Sequence, residues 1–443
     1  MDIVLIEMNN NGFLQETRAI NLKKKGAGMS EESVMGGKVK ELYKTLCQSE
    51  WNATITGVLV AFFSVMIMAW WRPWGAVGAI RSWGDWIMYG IASLFTGSST
   101  GVFSYYSEAP KSILMDSGSV IGIGFVAGAF ISACLGKDFA FRIPPYREMV
   151  KAVIAGIFMG VGATLAGGCN VGGMYNAIGN LAANGFTMWI GLVVGVILGL
   201  KLLYMEMEYI TWGDGGSATI ELPSALVYLL GVAAMAGLFW GAYSYAGNSE
   251  NGYMASLSGV ILIAGALGYV MQRGRWCMVQ GFREPHMTGD CTLAKSVALS
   301  ILIVAIGAAV LKYSVPLRAE GVAVLDPANY VRGTFGWGSI VGGFVFGLGA
   351  MLAGGCGSGT LWRVGEGQVK LILVVPFFAV SNSIMTAWFK DKNFEKDGVL
   401  GSYVYLPDVM GYGGTLFFIA AIMMIWYLVV TWNEDTNKLI VPM

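Results

Sequence analysis

Six cysteines are spread over 443 residues, and two of them stand at the same place in a repeated octapeptide. Residues 162–169 read GATLAGGC and residues 349–356 read GAMLAGGC, so Cys169 and Cys356 each follow a Gly-Gly pair at the end of a long apolar run. A thiol in such a place is either a small buried hydrophobe or a soft, polarisable contact with a weak S–H donor. Recurrence at equivalent positions favours the second use. Glycines beside each thiol let backbone N–H groups approach a ligand, and a short helix beginning there would point its positive end at it. Gly168, Cys169 and Asn170, and Gly355 and Cys356, are therefore candidate contacts for an anion. A third thiol, Cys277, follows Trp276 in the segment Arg273–Asp290, RGRWCMVQGFREPHMTGD. Its arginines, Arg283 among them, are either membrane-edge topology determinants or a funnel that concentrates anions. Glu366, with Arg363 nearby, either pairs locally or serves at a mouth. Cys134 and Cys291 read as filler, and Cys47 precedes the apolar runs. The single histidine, His286, reads as structural. No CxxC spacing is present, so neither a metal nor another cofactor is expected.

These residues must be held by a membrane bundle. Hydrophobic residues make up 55% of the chain and charged ones 13%, against about 25% charged in soluble domains. Apolar runs long enough to span occur near 55–71, 118–136, 151–167, 187–204, 225–246, 253–271, 292–313, 337–354, 369–389 and 414–432. Residues 83–96 are short and polar for a span, and read as interfacial, re-entrant or spanning. Small residues four apart, such as Gly156/Gly160 and Gly191/Gly195/Gly199, indicate close helix packing. With an inside N-terminus, 19 of the 28 Lys and Arg fall in inner segments and 9 in outer ones, the bias expected of cytoplasmic loops. Equal acidic and basic counts leave no charge signature for nucleic acid.

The first octapeptide ends the third run and the second ends the eighth. An odd separation makes the two helices run in opposite directions, so the repeat is inverted. The Gly-rich segments after Cys169 and Cys356 are too short to span. Non-helical backbone at that depth survives only inside protein or along a wet cavity, so they read as re-entrant loops. The expected architecture is an all-α polytopic membrane protein of about ten transmembrane helices. It has two inverted pseudo-repeats whose re-entrant loops meet as an hourglass. Residues 1–50 form a polar cytoplasmic extension, 51–210 a first half and 225–390 a second. Residues 391–443 hold an outer loop, a last span and a short inner tail. The segment Gly97–Ser107 is the expected first-half counterpart of the Cys277 segment. The shortage of ionisable residues deep in the spans argues against a proton-driven pump.

LAGGCN (165–170), RGRWCMVQGFRE (273–284) and LAGGCGSGTLWRVGEGQ (352–368) resemble the YeeE/YedE family of sulfur transporters, and its longer YedE branch in length. The likeness covers about residues 55–432. It implies an inner-membrane permease for thiosulfate or a related sulfur or selenium anion, without catalysis, working past cysteine thiols. It carries Cys169 and Cys356 over to the family's GGC motifs and makes Cys277 the third thiol. Arg283 falls in the family's GAFRD-like motif, which here reads GFREP (281–285). A cytoplasmic TusA-type sulfur carrier is the implied partner. Two other readings stand beside this one: a membrane thiol sulfurtransferase or oxidoreductase, and a channel for a small neutral solute. Thiosulfate has a large, soft terminal sulfur that a neutral S–H can meet, whereas a thiolate would repel the dianion.

Overall fold

Among the described residues, ten helices have the length and apolarity to cross a membrane, and they match the ten runs of the sequence. The computed structural model describes residues 31–95, 101–210, 216–248, 251–318, 330–394 and 398–441. Residues 31–49 form a unit of their own, helix α1 (Glu31–Tyr43) followed by a π-helical turn, Lys44–Gln48. The rest of the extension expected over 1–50 lies outside the described residues, Glu50 apart.

The membrane helices of the first part are α2 (Ala53–Trp70), α4 (Ser117–Gly136), α5 (Tyr146–Ala166), α7 (Asn184–Tyr209) and α8 (Ser224–Ala246). Those of the second are α9 (Gly252–Arg273), α11 (Thr292–Arg318), α12 (Trp337–Ala353), α14 (Val369–Asp391) and α15 (Leu406–Thr436). Further helical pieces sit between them: α3 (Ala76–Phe95), a short 3₁₀ turn at Gly101–Tyr106, a π-helix at Asn170–Tyr175 continued by α6 (Asn176–Gly179), α10 (Met278–Met287) and α13 (Gly357–Gly365). A small antiparallel pair, β1 (Phe141–Ile143) and β2 (Ala218–Ile220), ties two connections together.

Contacts at the helix ends fix two faces. On one, the Glu50 face, Trp51 N–H donates to Arg273 O and Ser296 donates to Ala53 O. Lys370 pairs with Glu148, and Lys151 with Glu206. On the other, the Lys312 face, Trp70 Nε1 donates to Ser256 O, Lys312 Nζ to Asn180 O, and Thr334 Oγ1 to Ala166 O. The ten helices alternate between these faces. The helix α5 therefore runs toward the Lys312 face and α12 away from it, as the inverted octapeptides require.

Glycine sets how closely they pack. A methyl built on Gly162 would lie 2.5 Å from Phe346 N, and one on Gly349 would lie 2.8 Å from Met159 N. The two octapeptide helices thus meet backbone to backbone, the approach that small residues permit in lipid. The arrangement recurs by pairs: α12 packs on α7 through Gly343 and Gly347, and α5 packs on α14 through Gly156 and Gly160. The helix α4 packs on α9, and α2 on α11, in the same reciprocal way.

Residues 83–96, short and polar by sequence, belong up to Phe95 to the twenty-residue helix α3. It starts at Ala76 because Pro73 and Gly75 break the chain after α2, and it is not among the helices apolar enough to span. It lies along α14, where a methyl on Gly84 would run into Ala379 O, while nothing lies within 4 Å of one on Gly90. Gly84→Leu is therefore expected to lower the unfolding midpoint of the detergent-purified protein, by an overpacking cost of about 1–3 kcal/mol. Gly90→Leu should leave the midpoint close to wild type, since it meets open space.

Candidate functional site: three thiols at helix starts

The Gly-Gly-Cys tripeptide has the same shape in both copies. The first glycine ends its helix in the left-handed region, at φ +76 for Gly167 and φ +80 for Gly354, where a side chain would be strained. The second glycine returns an N–H to the helix: Gly168 N to Ala163 O at 2.8 Å and Gly355 N to Ala350 O at 3.1 Å. The cysteine is then extended, φ −74 and ψ −179 for Cys169, φ −76 and ψ −177 for Cys356, and caps the next helical piece. The chain has reversed by this point, so both thiols point back into the bundle.

Cys277 reaches the same place from α9, at the start of α10. Its Sγ donates to Cys356 Sγ across 3.4 Å. Cys356 Sγ accepts from Gly359 N–H at 3.2 Å and lies 3.4 Å from Ser358 Oγ. Cys169 packs against the first residue of α13: a methyl on Gly357 would be 3.1 Å from its Sγ. A methyl on Gly359 would be 2.8 Å from Cys277 Sγ and 3.2 Å from Cys356 Sγ, so only hydrogen fits there. Asn170 Oδ1 accepts from Gly357 N–H at 3.4 Å, linking the two Gly-Gly-Cys turns. The three thiols are at most 1% exposed. Two nearby side-chain groups, Asn170 Nδ2 and Thr360 Oγ1, are buried without a hydrogen-bond partner.

Five of the expected contacts, Gly168, Cys169, Asn170, Gly355 and Cys356, lie on these two turns, and Cys277 joins them. Glu366 caps the far end of α13, and Arg283 lies past the middle of α10. Glu366 is fully buried. It accepts from Gln272 Nε2 at 2.8 Å and Gln368 Nε2 at 3.1 Å, with Arg275 at 3.7 Å and Arg142 at 3.8 Å. It does not pair with its neighbour Arg363, which stacks on Trp362 at 4.7 Å and donates to Gly354 O. Arg283 pairs with Glu284 at 2.6 Å, and its Nε is buried without a partner. A cavity of about 980 Å³ opens on the Glu50 face, lined by Arg275, Gln280, Glu284, Trp362, Arg363 and Lys370 among others. Its walls include Gly274 and Gly354, a few residues before Cys277 and Cys356.

The expected first-half counterpart of the Cys277 segment needs correction. Gly97–Thr100 lie outside the described residues, and Gly101–Tyr106 form a 3₁₀ turn whose Tyr106 bonds Ser383 on α14, away from the thiols. The equivalent piece is Trp74-Gly75-Ala76-Val77, at the start of α3, against Trp276-Cys277-Met278-Val279 at the start of α10. Both tryptophans are buried and both donate to a serine, Trp74 to Ser64 at 2.8 Å and Trp276 to Ser296 at 3.0 Å. Glycine stands at the position of the fourth thiol. The shared Trp-x-x-Val was the available signal. It was hidden because the first-half copy follows Pro73 directly after α2 and carries no cysteine.

His286 is structural: its Nδ1 meets Leu439 O at 2.9 Å and its O accepts from Val441 N. Cys134 and Cys291 are buried away from the cluster, Cys134 beneath Gly231 and Cys291 beside Asn433.

The family described as Sulphur transport matches residues 17–198 and 273–442, most of the chain. The protein belongs to the YeeE/YedE sulphur transport family. Within it, the chain is 25% identical over 327 residues to "Probable transporter YedE" of Escherichia coli (strain K12), covering 72% of this chain and 76% of the relative. It is 36% identical over 129 residues to "Thiosulfate transporter TsuA" of the same organism, and 39% over 122 residues to that of Spirochaeta thermophila. These two matches cover 28% and 27% of this chain and 33% of each relative. The family match spans both Gly-Gly-Cys turns and the Cys277 segment.

Burial predicts how the thiols react. In folded, detergent-solubilised protein a polar maleimide should modify Cys47, which is half-buried, and leave the other five until detergent denaturation. Mass spectrometry of the labelled peptides would show this.

Proposed function

We propose that this family member is a permease that takes thiosulfate, or a related sulfur or selenium anion, across the inner membrane past Cys169, Cys356 and Cys277. The observation that carries the reading is the meeting of three thiols, from three separate chain reversals, at one place inside the bundle. Each sits at a helix start, where backbone N–H groups favour negative charge and the neutral thiol meets a soft terminal sulfur. Several weak contacts in series hold such an anion without trapping it, which conduction requires. The YedE and TsuA names of the relatives support a sulfur substrate. Buried Asn170 Nδ2 and Thr360 Oγ1 are donors that a passing anion would satisfy.

In this reading the thiols work as ligands, and no bond is made or broken. The basic Glu50 face is cytoplasmic, by the loop bias of Lys and Arg, and α15 ends there too. Arg275, Arg363 and Lys370 in the cavity then receive the anion on its inner side. Glu366 holds Arg142 and Arg275 in place beside it. A TusA-type carrier would collect sulfur at this cavity.

Two experiments test the reading. Uptake of labelled thiosulfate into proteoliposomes is expected for wild type and should fall at least tenfold for Cys169→Ala, Cys356→Ala or Cys277→Ala. Wild-type uptake by these variants, confirmed as folded, would sink the thiol route. Persulfide recovered from a cysteine as an obligatory intermediate would instead support the sulfurtransferase reading. For orientation, a fluorescent protein that matures only in the cytoplasm, fused after Met443, should be bright. A dark but full-length fusion would reverse the assignment of faces.

A further inference from the structure

On the Lys312 side of Cys169 lies a second group of residues. Tyr330 and Arg332 precede α12, and Arg72 follows α2. The Tyr330 hydroxyl stands over the glycines that open two helical pieces: methyls there would be 3.1 Å away at Gly172 and 3.6 Å away at Gly75. The Arg332 stem covers Gly167, 3.1 Å from a methyl built there, and its guanidinium lies 5.4 Å from the Tyr330 ring centre. Arg72, Arg332 and Cys169 are all within electrostatic reach of the Tyr330 hydroxyl.

What sets this group apart is unused bonding capacity. Arg72 is half-buried, and its Nε is buried with no partner. Neither guanidinium has an ion pair to a carboxylate among the described residues, whereas Arg273 and Arg275, on the other face, do. A buried guanidinium N–H left unpaired, as in Arg72, is costly, and together with the exposed Arg332 beside one hydroxyl it makes a set of charge-assisted donors for an oxyanion. The glycines at Gly75 and Gly172 keep side chains out of the space between them.

We propose that Arg72, Arg332 and the Tyr330 hydroxyl form a capture site for a doubly charged tetrahedral oxyanion on the Lys312 side of Cys169. The site reads charge and oxygen, so it accepts sulfate as well as thiosulfate, and discrimination falls to the thiols beyond it. It rests on the reading of the thiols as the substrate's route.

The test is binding by calorimetry to the detergent-purified full chain, with thiosulfate and sulfate as separate probes, together with uptake kinetics. Wild type should bind both. Arg332→Gln, at an exposed residue that holds no part of the core, should weaken both about tenfold, or 1.4 kcal/mol. The double variant Arg72→Gln/Arg332→Gln should weaken them further, Tyr330→Phe should weaken them a few-fold, and Arg332→Lys should fall between wild type and Arg332→Gln. In uptake, Arg332→Gln should raise KM and leave the maximal rate within twofold. Lys111→Gln, which removes an exposed charge elsewhere on that face, should change neither. Wild-type affinity and KM in Arg332→Gln, or an equal loss in Lys111→Gln, would overturn the site. The two readings separate cleanly: arginine-dependent binding without any thiosulfate uptake would leave the site and remove the permease. Thiol-dependent uptake indifferent to these arginines would leave the permease and remove the site.

Discussion

Helices that begin in the interior of an apolar bundle carry an obligation the long spans do not. Each start leaves backbone N–H groups without an intrahelical partner, in a place where water does not supply one. Around the thiols this obligation is met by what the chain has at hand. Cys356 Sγ takes the Gly359 N–H, and Asn170 Oδ1 takes the Gly357 N–H. Sulfur and amide here are part of how the broken helices stay broken. The same groups that satisfy the backbone are the ones a ligand would touch, so support and recognition are joined.

That arrangement is possible because the surrounding helices approach so closely. The backbone contacts of α5 with α12, of α5 with α14 and of α12 with α7 form a frame of four helices around the two Gly-Gly-Cys turns. The left-handed glycines Gly167 and Gly354 convert the ends of that frame into inward reversals. Glycine thus serves twice in the repeat, four apart along the helix for packing and paired at its end for the turn.

Much of this was legible in the residues. Periodic apolar runs gave ten spans because lipid demands length and hydropathy of each one separately. The doubled octapeptide gave the inverted direction, since parity of the span count decides it. Cys169, Cys356 and Cys277 stood out by motif. Less legible was anything set by contacts between distant segments. That Cys277 meets Cys356 depends on where α9 ends relative to α12, and that Glu366 is held by Gln272 and two arginines depends on the β1 connection. The start of α3 was missed for a local reason: Pro73 and Gly75 read as a loop, and the polar α3 that follows them has no transmembrane signature. Arg72 and Tyr330 carried no motif at all.

Gly75 gives the arrangement a polarity. An inverted repeat would otherwise set matching groups at both of its ends. With glycine in the fourth position, the Tyr330 hydroxyl comes to stand there, while at the related position Cys277 offers sulfur. A ligand that is itself unlike at its two ends would find oxygen and nitrogen donors first and sulfur after, or the reverse. The backbone is nearly indifferent to direction; the lettering of its donors is not.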